Sequence, residues 1–498
     1  MKTIPCPWSA AAKKFPHQPA FILKSRHVSY QQFDQICAKT LLTLKESGIK
    51  PNEHIAIVSP NSFEYVVLLV ALWRLKAVAV PINTRLPEKG IAAALKKISG
   101  RKIFLAQKAN LPFAQQFLIR DFIYPPCCCE CEAKAQKISY DQDATIVFTS
   151  GSSGEPKAVL HSFANHFYNA LGSNKNISLK IGDSWLLSLP LYHVGGLGIL
   201  FRAALSGAAV IVPEENETLE RSIKHYKPTH LSLVATQLYR LLLRRPDKNV
   251  GSRSSDLLDN ASQSVGKNII RDLQRMKAVL IGGSAIPENL IKGSFRQKIP
   301  IYLTYGLTEM ASQVATTKKG SIDSAKPLQF RKLKIAKDGE ILVKGETLFR
   351  GYVSGAKVAR ALTRDGWFPT GDLGRFDRSG ALHILGRKDN MFISGGENIQ
   401  PEEIERSLLK LPGISQTVVV PVKNNEFGFR PVAFIKTTHQ AKINSERIKT
   451  VLRKTLPGFK IPDAFYPWPK DLKENLKMKR LSFLQMVGSC KVTLKKTF

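Results

Sequence analysis

A chain of 498 residues that is 43% hydrophobic and 23% charged can bury a sizeable core, which excludes a disordered or fibrous protein. Its 74 basic against 39 acidic residues leave a formal charge of +35. The lysines and arginines are scattered, however, with no long basic block and no aromatic–basic alternation, so we expect a basic surface that favours anionic substrates and no specific nucleic-acid partner.

Length alone predicts roughly three structural units, at about 150 residues each. The N-terminal stretch is broken by Pro5, Pro7 and Pro16 and lacks the apolar run of a secretory signal. The longest apolar run, Tyr65 to Trp73, ends at Arg74 and falls short of the ~20 residues of a spanning helix. These features predict a cytoplasmic protein without membrane insertion. Four of the seven cysteines crowd into Cys127, Cys128, Cys129 and Cys131. Zinc sites usually repeat a paired spacing at a distance, and this cluster has no second half, so it reads as a surface loop.

Strand-like apolar runs then alternate with longer helical patterns, as in sheets covered by helices. Three runs end in small, polar, glycine-bearing loops: Ala144 to Phe148 before TSGSSGEPK, Ala278 to Ile281 before GGSAIP, and Ile301 to Leu303 before TYGLTE. Ligands in such folds gather where strand carboxyl ends meet loops, so the three segments would line one site. The stretch from about Arg245 to Lys267, rich in Ser, Asn, Asp and Gly, reads as an exposed loop. Beyond Gly386 the elements shorten, pairing a helical Pro401 to Leu411 with strands near Thr417 to Val422 and Val432 to Lys436. The expected architecture is therefore α/β with an α+β C-terminal domain. A large domain of packed sheets and helices would span residues 1–386, with a hinge at 387–389 and a small mobile domain at 390–498.

The segment Thr149, Ser150, Gly151, Ser152, Ser153, Gly154, Glu155, Pro156, Lys157 follows a strand. Its glycines allow sharp turns that present N–H groups and hydroxyls to phosphate oxygens, and Lys157 adds charge. It is not the phosphate loop of the G-x-x-x-x-G-K-[ST] type, because Pro156 precedes the lysine and the spacing differs.

In order along the chain, TSGSSGEPK, YGLTE, GDLG at Gly371 to Gly374, GRKDN at Gly386 to Asn390 and a lysine-rich KMKR at Lys477 to Arg480 resemble the acyl-adenylate-forming superfamily of acyl-CoA synthetases, adenylation domains and luciferases. Within it, LLSLPLYHVGGLG, ATQLYRLL and SGGENIQPEEIE are similar to the 2-succinylbenzoate–CoA ligases of menaquinone synthesis. The resemblance implies an enzyme that uses ATP, Mg²⁺ and coenzyme A, activates a small carboxylic acid as its adenylate, and then transfers the acyl group to the thiol.

By that resemblance Lys477 bridges the attacking carboxylate and the α-phosphate. Lys479 is the alternative, but only Lys477 keeps the family's K-x-x-R spacing to Arg480. Thr308 would offer its hydroxyl to the α-phosphate, Glu309 would hold Mg²⁺, and Tyr305 beside Gly306 would face adenine, with Gly283 and Ser284 in the neighbouring loop. Asp372 would accept the ribose hydroxyls, backed by Arg387. His193 would gate the acid pocket, lined by Arg202, Gln237 and Ser284. Asp389 would be the hinge, and Gly395, Gly396 and Glu397 would help form the thiol tunnel. Rival expectations are another aryl or fatty acid–CoA ligase, a module loading a carrier protein, and a non-enzymatic basic binding protein. A homo-oligomer remains open.

Overall fold

The computed structural model describes residues 3–112, 114–123, 137–150, 156–243, 268–283, 286, 288–322, 324–394, 397–424, 426–437, 444–469 and 480–488. The cysteine cluster, the whole 245–267 segment, Gly151 to Glu155, Ser284, Gly395, Gly396, Lys477 and Lys479 lie outside these residues. Two compact units are present. The larger comprises Met1–Gly283, Gln297–Leu333 and Val343–Phe368; the smaller comprises Ser284–Arg296, Lys334–Leu342 and Pro369–Phe498. Two units, rather than the three that length alone suggests, follow from one large apolar core shared by both main sheets.

The larger unit holds an eight-stranded and a nine-stranded sheet. Central strands such as Val78–Pro81 and His230–Leu233 are buried at every position, the pattern of parallel strands covered on both faces. Between the sheets lie helices whose apolar faces merge into one cluster with residues of both, including Ile55 and Val147 of the first sheet and Trp185 and Leu280 of the second. The apolar run read from the sequence is the helix Phe63–Leu75, capped by Ser62 and closed by Lys76 in the left-handed conformation. It is buried along nearly its whole surface, as an all-round apolar helix must be. No helix among the described residues is long and apolar enough to cross a membrane.

Four neighbouring strands of the nine-stranded sheet position the site. Ser184–Leu186, His230–Leu233, Ala278–Gly282 and Ile301–Leu307 are adjacent and mutually parallel. Parallel strands deliver all their carboxyl ends to one edge. The segments leading to His193, Gln237, Gly283 and Thr308 therefore leave the sheet at that same edge. In the eight-stranded sheet, Asp143–Ser150 and Pro156–Ser162 form an antiparallel pair that sets Thr149 opposite Lys157, with the phosphate-like loop as its connection.

The smaller unit has the α+β character expected from its sequence. A three-stranded sheet of Ile414–Asn424, Gly428–Thr437 and Ala464–Pro467 packs with the helices Pro401–Leu409 and Ser445–Leu452 around Ile399, Ile404, Val419 and Ile435. A last helix, Arg480–Gly488, inserts Phe483 against Phe434 and Trp468.

Candidate active site

The YGLTE segment runs off the end of Ile301–Leu307 into a single 3-10 turn, Thr308–Met310. Gly306 is required there: a Cβ would collide with the Ser312 carbonyl, because the strand bulges against its partner at this point. The turn ends with Ala311 at φ 55° and Ser312 at φ 126°, two consecutive non-glycine residues at positive φ. Such conformations cost of order 1–3 kcal/mol each and persist only where the surroundings over-determine them.

Those surroundings are explicit. The Asn169 side-chain amide donates to the carbonyls of Met310 (3.0 Å) and Gln313 (3.3 Å). Arg331, buried, donates from Nε to the Gln313 carbonyl at 2.7 Å and from Nη2 to the Asn169 carbonyl at 3.0 Å. His161 Nε2 lies 2.7 Å from the Thr308 carbonyl and must carry the proton, since a carbonyl only accepts. Glu309 is held at both ends: its carbonyl accepts from the Phe349 N–H at 2.8 Å, and Oε1 accepts from the Tyr352 hydroxyl at 2.8 Å.

The His161 and His166 rings are tilted against each other at 47°, centroids 5.1 Å apart, and His166 Nε2 lies 2.7 Å from the Thr145 hydroxyl. Burial lowers the pKa of His161 to about 4 and that of His166 well below the ordinary value. Both are neutral in the fold, while the unfolded chain binds protons near the ordinary value of about 6.5. Proton uptake therefore favours unfolding. For His161 the stabilisation is complete above about pH 6.5, drains away as the pH falls toward about 4, and amounts to roughly 3 kcal/mol over that window. Denaturant midpoints between pH 7.5 and 4.5, compared for wild type and His161→Gln, should fall less steeply in the variant; parallel curves would refute the burial argument.

On the acid side, His193 is exposed at the N-terminus of the helix Val194–Ser206, edge-on to Tyr192. Nine residues on, roughly 13 Å along the axis, Arg202 is 1% exposed. A surface arginine is the ordinary expectation on such a helix, and the structure overturns it. The Arg202 guanidinium lies over the Trp185 ring at 5.0 Å, with Nε and Nη1 buried and without hydrogen-bond partners. Burial pulls its pKa down to about 10, which leaves it charged at neutral pH. No carboxylate is paired with it among the described residues. Gln237 opens the helix Ala235–Leu243; its Oε1 accepts from the Val234 N–H at 3.0 Å and its amide reaches the Ser188 carbonyl at 3.4 Å. Gly283 sits at φ 84° directly after its strand.

In the smaller unit, Asp372 and Arg387 face each other across the pair Phe368–Phe376 and Leu382–Arg387. Arg387 Nη1 donates to Asp372 Oδ1 at 3.1 Å and to the Thr370 carbonyl at 2.9 Å, while Nε and Nη2 reach the two Asp389 oxygens at 3.0 and 3.2 Å. Partial burial opposes the Arg387 charge, but the Asp389 bonds and both carboxylates outweigh it and hold its pKa above the ordinary arginine value. Gly371, at φ 71°, leaves room for that guanidinium, which a Cβ would touch at 2.8 Å. Asp389 thus ends the strand in a 3-10 turn, Lys388–Asn390, and Glu397 lies exposed on the short strand Glu397–Ile399.

Three carbonyl-directed side chains, His161, Asn169 and Arg331, together with Tyr352, were not legible in the sequence. His161 and Asn169 act on carbonyls more than 140 residues distant, Arg331 on carbonyls 18 and 162 residues away, and Tyr352 on a carboxylate 43 residues away, and no local spacing encodes such contacts.

The parallel strand ends and the braced carboxylate turn bring the candidate site of the larger unit to one sheet edge. The chain belongs to the AMP-binding enzyme family, matching it over residues 8–353 and its C-terminal domain over residues 403–476. It is therefore an AMP-forming acid–CoA ligase in class, built on ATP, Mg²⁺ and coenzyme A. It is 35% identical over 444 residues to 2-succinylbenzoate–CoA ligase of Haemophilus influenzae, covering 89% of each chain. Its fold is similar to o-succinylbenzoate CoA synthetase of Bacillus subtilis in complex with the acyl-adenylate intermediate OSB-AMP, with TM-score 0.82, 25% identity and 97% and 98% of the two chains covered. It is likewise similar to the same synthetase in complex with ATP and magnesium ion, with TM-score 0.80, 26% identity and coverage of 96% and 99%.

Proposed function

We propose that this chain is an ATP-dependent 2-succinylbenzoate–CoA ligase of menaquinone synthesis, acting in the cytoplasm. The carboxylate oxygen of the acid attacks the α-phosphorus of ATP, the bond to the β-phosphate oxygen breaks, and pyrophosphate leaves. The CoA sulfur then attacks the acyl carbon and AMP leaves, forming the thioester.

The observation that carries the choice of acid is Arg202. A buried guanidinium with unpartnered N–H groups is costly unless something completes it, and 2-succinylbenzoate brings a second carboxylate. A fatty acid would leave that charge uncompensated. His193 and Gln237 flank the acid from the strand-end loops, with Ser284 as a further contact, and Trp185 supplies an apolar wall beside Arg202.

For the nucleotide, Thr149 to Gly154 and Lys157 would hold the phosphates, Tyr305, Gly306 and Gly283 would line the adenine side, Thr308 would meet the α-phosphate, and Asp372 with Arg387 would take the ribose. Among the described residues no cluster of three or more His, Cys, Asp or Glu could hold a metal. Mg²⁺ in nucleotide enzymes is commonly held by one or two carboxylates together with phosphates and water. Glu309, a carboxylate with one oxygen accepting from the Tyr352 hydroxyl, suits that role. Bound there, Mg²⁺ would offset the charge on the phosphate oxygens. Residues 390–498 would form the domain that carries Lys477 and, through Gly395, Gly396 and Glu397, the thiol path, turning at Asp389 between the two half-reactions.

Pyrophosphate release with a panel of acids tests the reading. Selective turnover of 2-succinylbenzoate over benzoate and medium-chain fatty acids is expected. If another acid is preferred, the adenylation chemistry stands and the acid assignment falls.

A further inference from the structure

Tyr352 makes two contacts that the reaction described so far does not use. It lies on the strand Gly351–Ser354, paired with Val159 of the strand that begins at the phosphate-like loop. Its hydroxyl donates to Glu309 Oε1 at 2.8 Å. Its ring face receives Lys157 Nζ at 5.1 Å from the centroid. Phe349, three residues earlier and edge-on to Tyr352 at 4.8 Å, binds the Glu309 carbonyl through its N–H. One short stretch of chain therefore holds Glu309 by both main chain and side chain.

The chemistry of the donor matters. A glutamate side chain has three torsions, and an unrestrained one spends part of its time pointing away from any cation. A lysine could restrain it, but an ammonium would also neutralise it. A phenol hydroxyl restrains without neutralising, because it stays protonated well above neutral pH. Lys157 is meanwhile occupied by the aromatic face, a favourable place for an ammonium that asks nothing of the carboxylate. No ion pair joins Lys157 to Glu309, although the same side chain touches both.

We propose that Tyr352 is a positioning residue that aims the Glu309 carboxylate at the Mg²⁺ of bound MgATP and keeps Lys157 apart from it for the phosphates. The inference rests on the assignment of Glu309 to the metal and of Lys157 to the nucleotide.

ATP binding without acid provides the test. Calorimetric Kd values for ATP are measured on the full chain in saturating Mg²⁺ and in EDTA, for wild type, Tyr352→Phe and Tyr352→Leu. In wild type, Mg²⁺ should tighten ATP binding. Tyr352→Phe keeps the ring and the Lys157 contact and should shrink that Mg²⁺-dependent gain about tenfold, the effect of one hydrogen bond to a charged group, with EDTA binding unchanged. Tyr352→Leu should also weaken binding in EDTA, by about two- to fivefold, as the cation–π contact is lost. In a Glu309→Gln background, Tyr352→Phe should have no further effect on the Mg²⁺ dependence. An unchanged Mg²⁺ gain in Tyr352→Phe, or an equal loss with and without the metal, overturns the proposal, as does a wild type that binds ATP equally well in both conditions. Failure of every acid to drive turnover, with this Mg²⁺ pattern intact, would instead count against the acid–ligase assignment and leave the role of Tyr352 standing.

Discussion

Arg202→Met should lower kcat/KM for 2-succinylbenzoate by about 10²–10⁴-fold while leaving the fold as stable as wild type or more so. The two halves of this expectation come from one fact: the guanidinium is buried, charged and unpartnered at Nε and Nη1. Without substrate, an uncompensated charge in the interior opposes folding, and an apolar side chain of similar length relieves that cost. With substrate, on the proposed reading, the same guanidinium would meet a carboxylate in a dry site, where charge-assisted hydrogen bonds are strong and their loss leaves the partner unpaired. Sites built around such a contact discriminate far more steeply than apolar pockets do. Activity toward benzoate, which has no second carboxylate, should change little, so the ratio of the two substrates carries the result. A thermal melt accompanies the kinetics. A lower melting temperature combined with undiminished selectivity would make Arg202 a structural residue and remove the main support for the acid assignment.

For Lys477→Ala, pyrophosphate release should fall by about 10²–10³-fold, with thioester formation from preformed acyl-adenylate largely retained. The first half-reaction accumulates negative charge where carboxylate, α-phosphate and leaving group meet, and one aimed cation there contributes on the order of 3–4 kcal/mol. A lysine suits this because its ammonium is a compact charge on a flexible stem. In the second half-reaction the domain that carries Lys477 would have turned away, so this lysine would not act on the departing AMP. The choice between Lys477 and Lys479 is tested by the companion variant, and Arg480 gives a reason to favour Lys477. Arg480 is bonded to Glu405 at 2.6 Å and to Glu402 at 3.2 Å, which ties the chain three residues after Lys477. Lys479→Ala should retain most of the adenylation rate; a reversed pattern would transfer the role to Lys479, and equal loss of both half-reactions would argue against alternation between them.

The strand ends that lead to the candidate site were readable because their signals are local. An apolar run followed by small polar residues marks a strand and the loop beyond it, and Ala278–Gly282 and Ile301–Leu307 appear where those signals lie. Gly306 and Gly371 stand at tight approaches, to the Ser312 carbonyl and the Arg387 guanidinium, that only the packed chain shows. The strands near Thr417 and Val432 proved longer than their apolar cores, at Ile414–Asn424 and Gly428–Thr437, because hairpin pairing extends a ladder past the residues that are buried.

Hydrophobic periodicity by itself determined the class of fold, and the order of the motifs, through their likeness to the adenylate-forming superfamily, the class of chemistry, since both are written in neighbours a few positions apart. Only the tertiary structure decided that Arg202 is buried rather than surface-exposed, that a strained turn at Ala311 and Ser312 is braced by Asn169, Arg331 and His161, and that Tyr352 stands between Lys157 and Glu309. Burial and charge separation depend on which distant segments the sheets bring together, and that is a property of the packed chain rather than of any window along it.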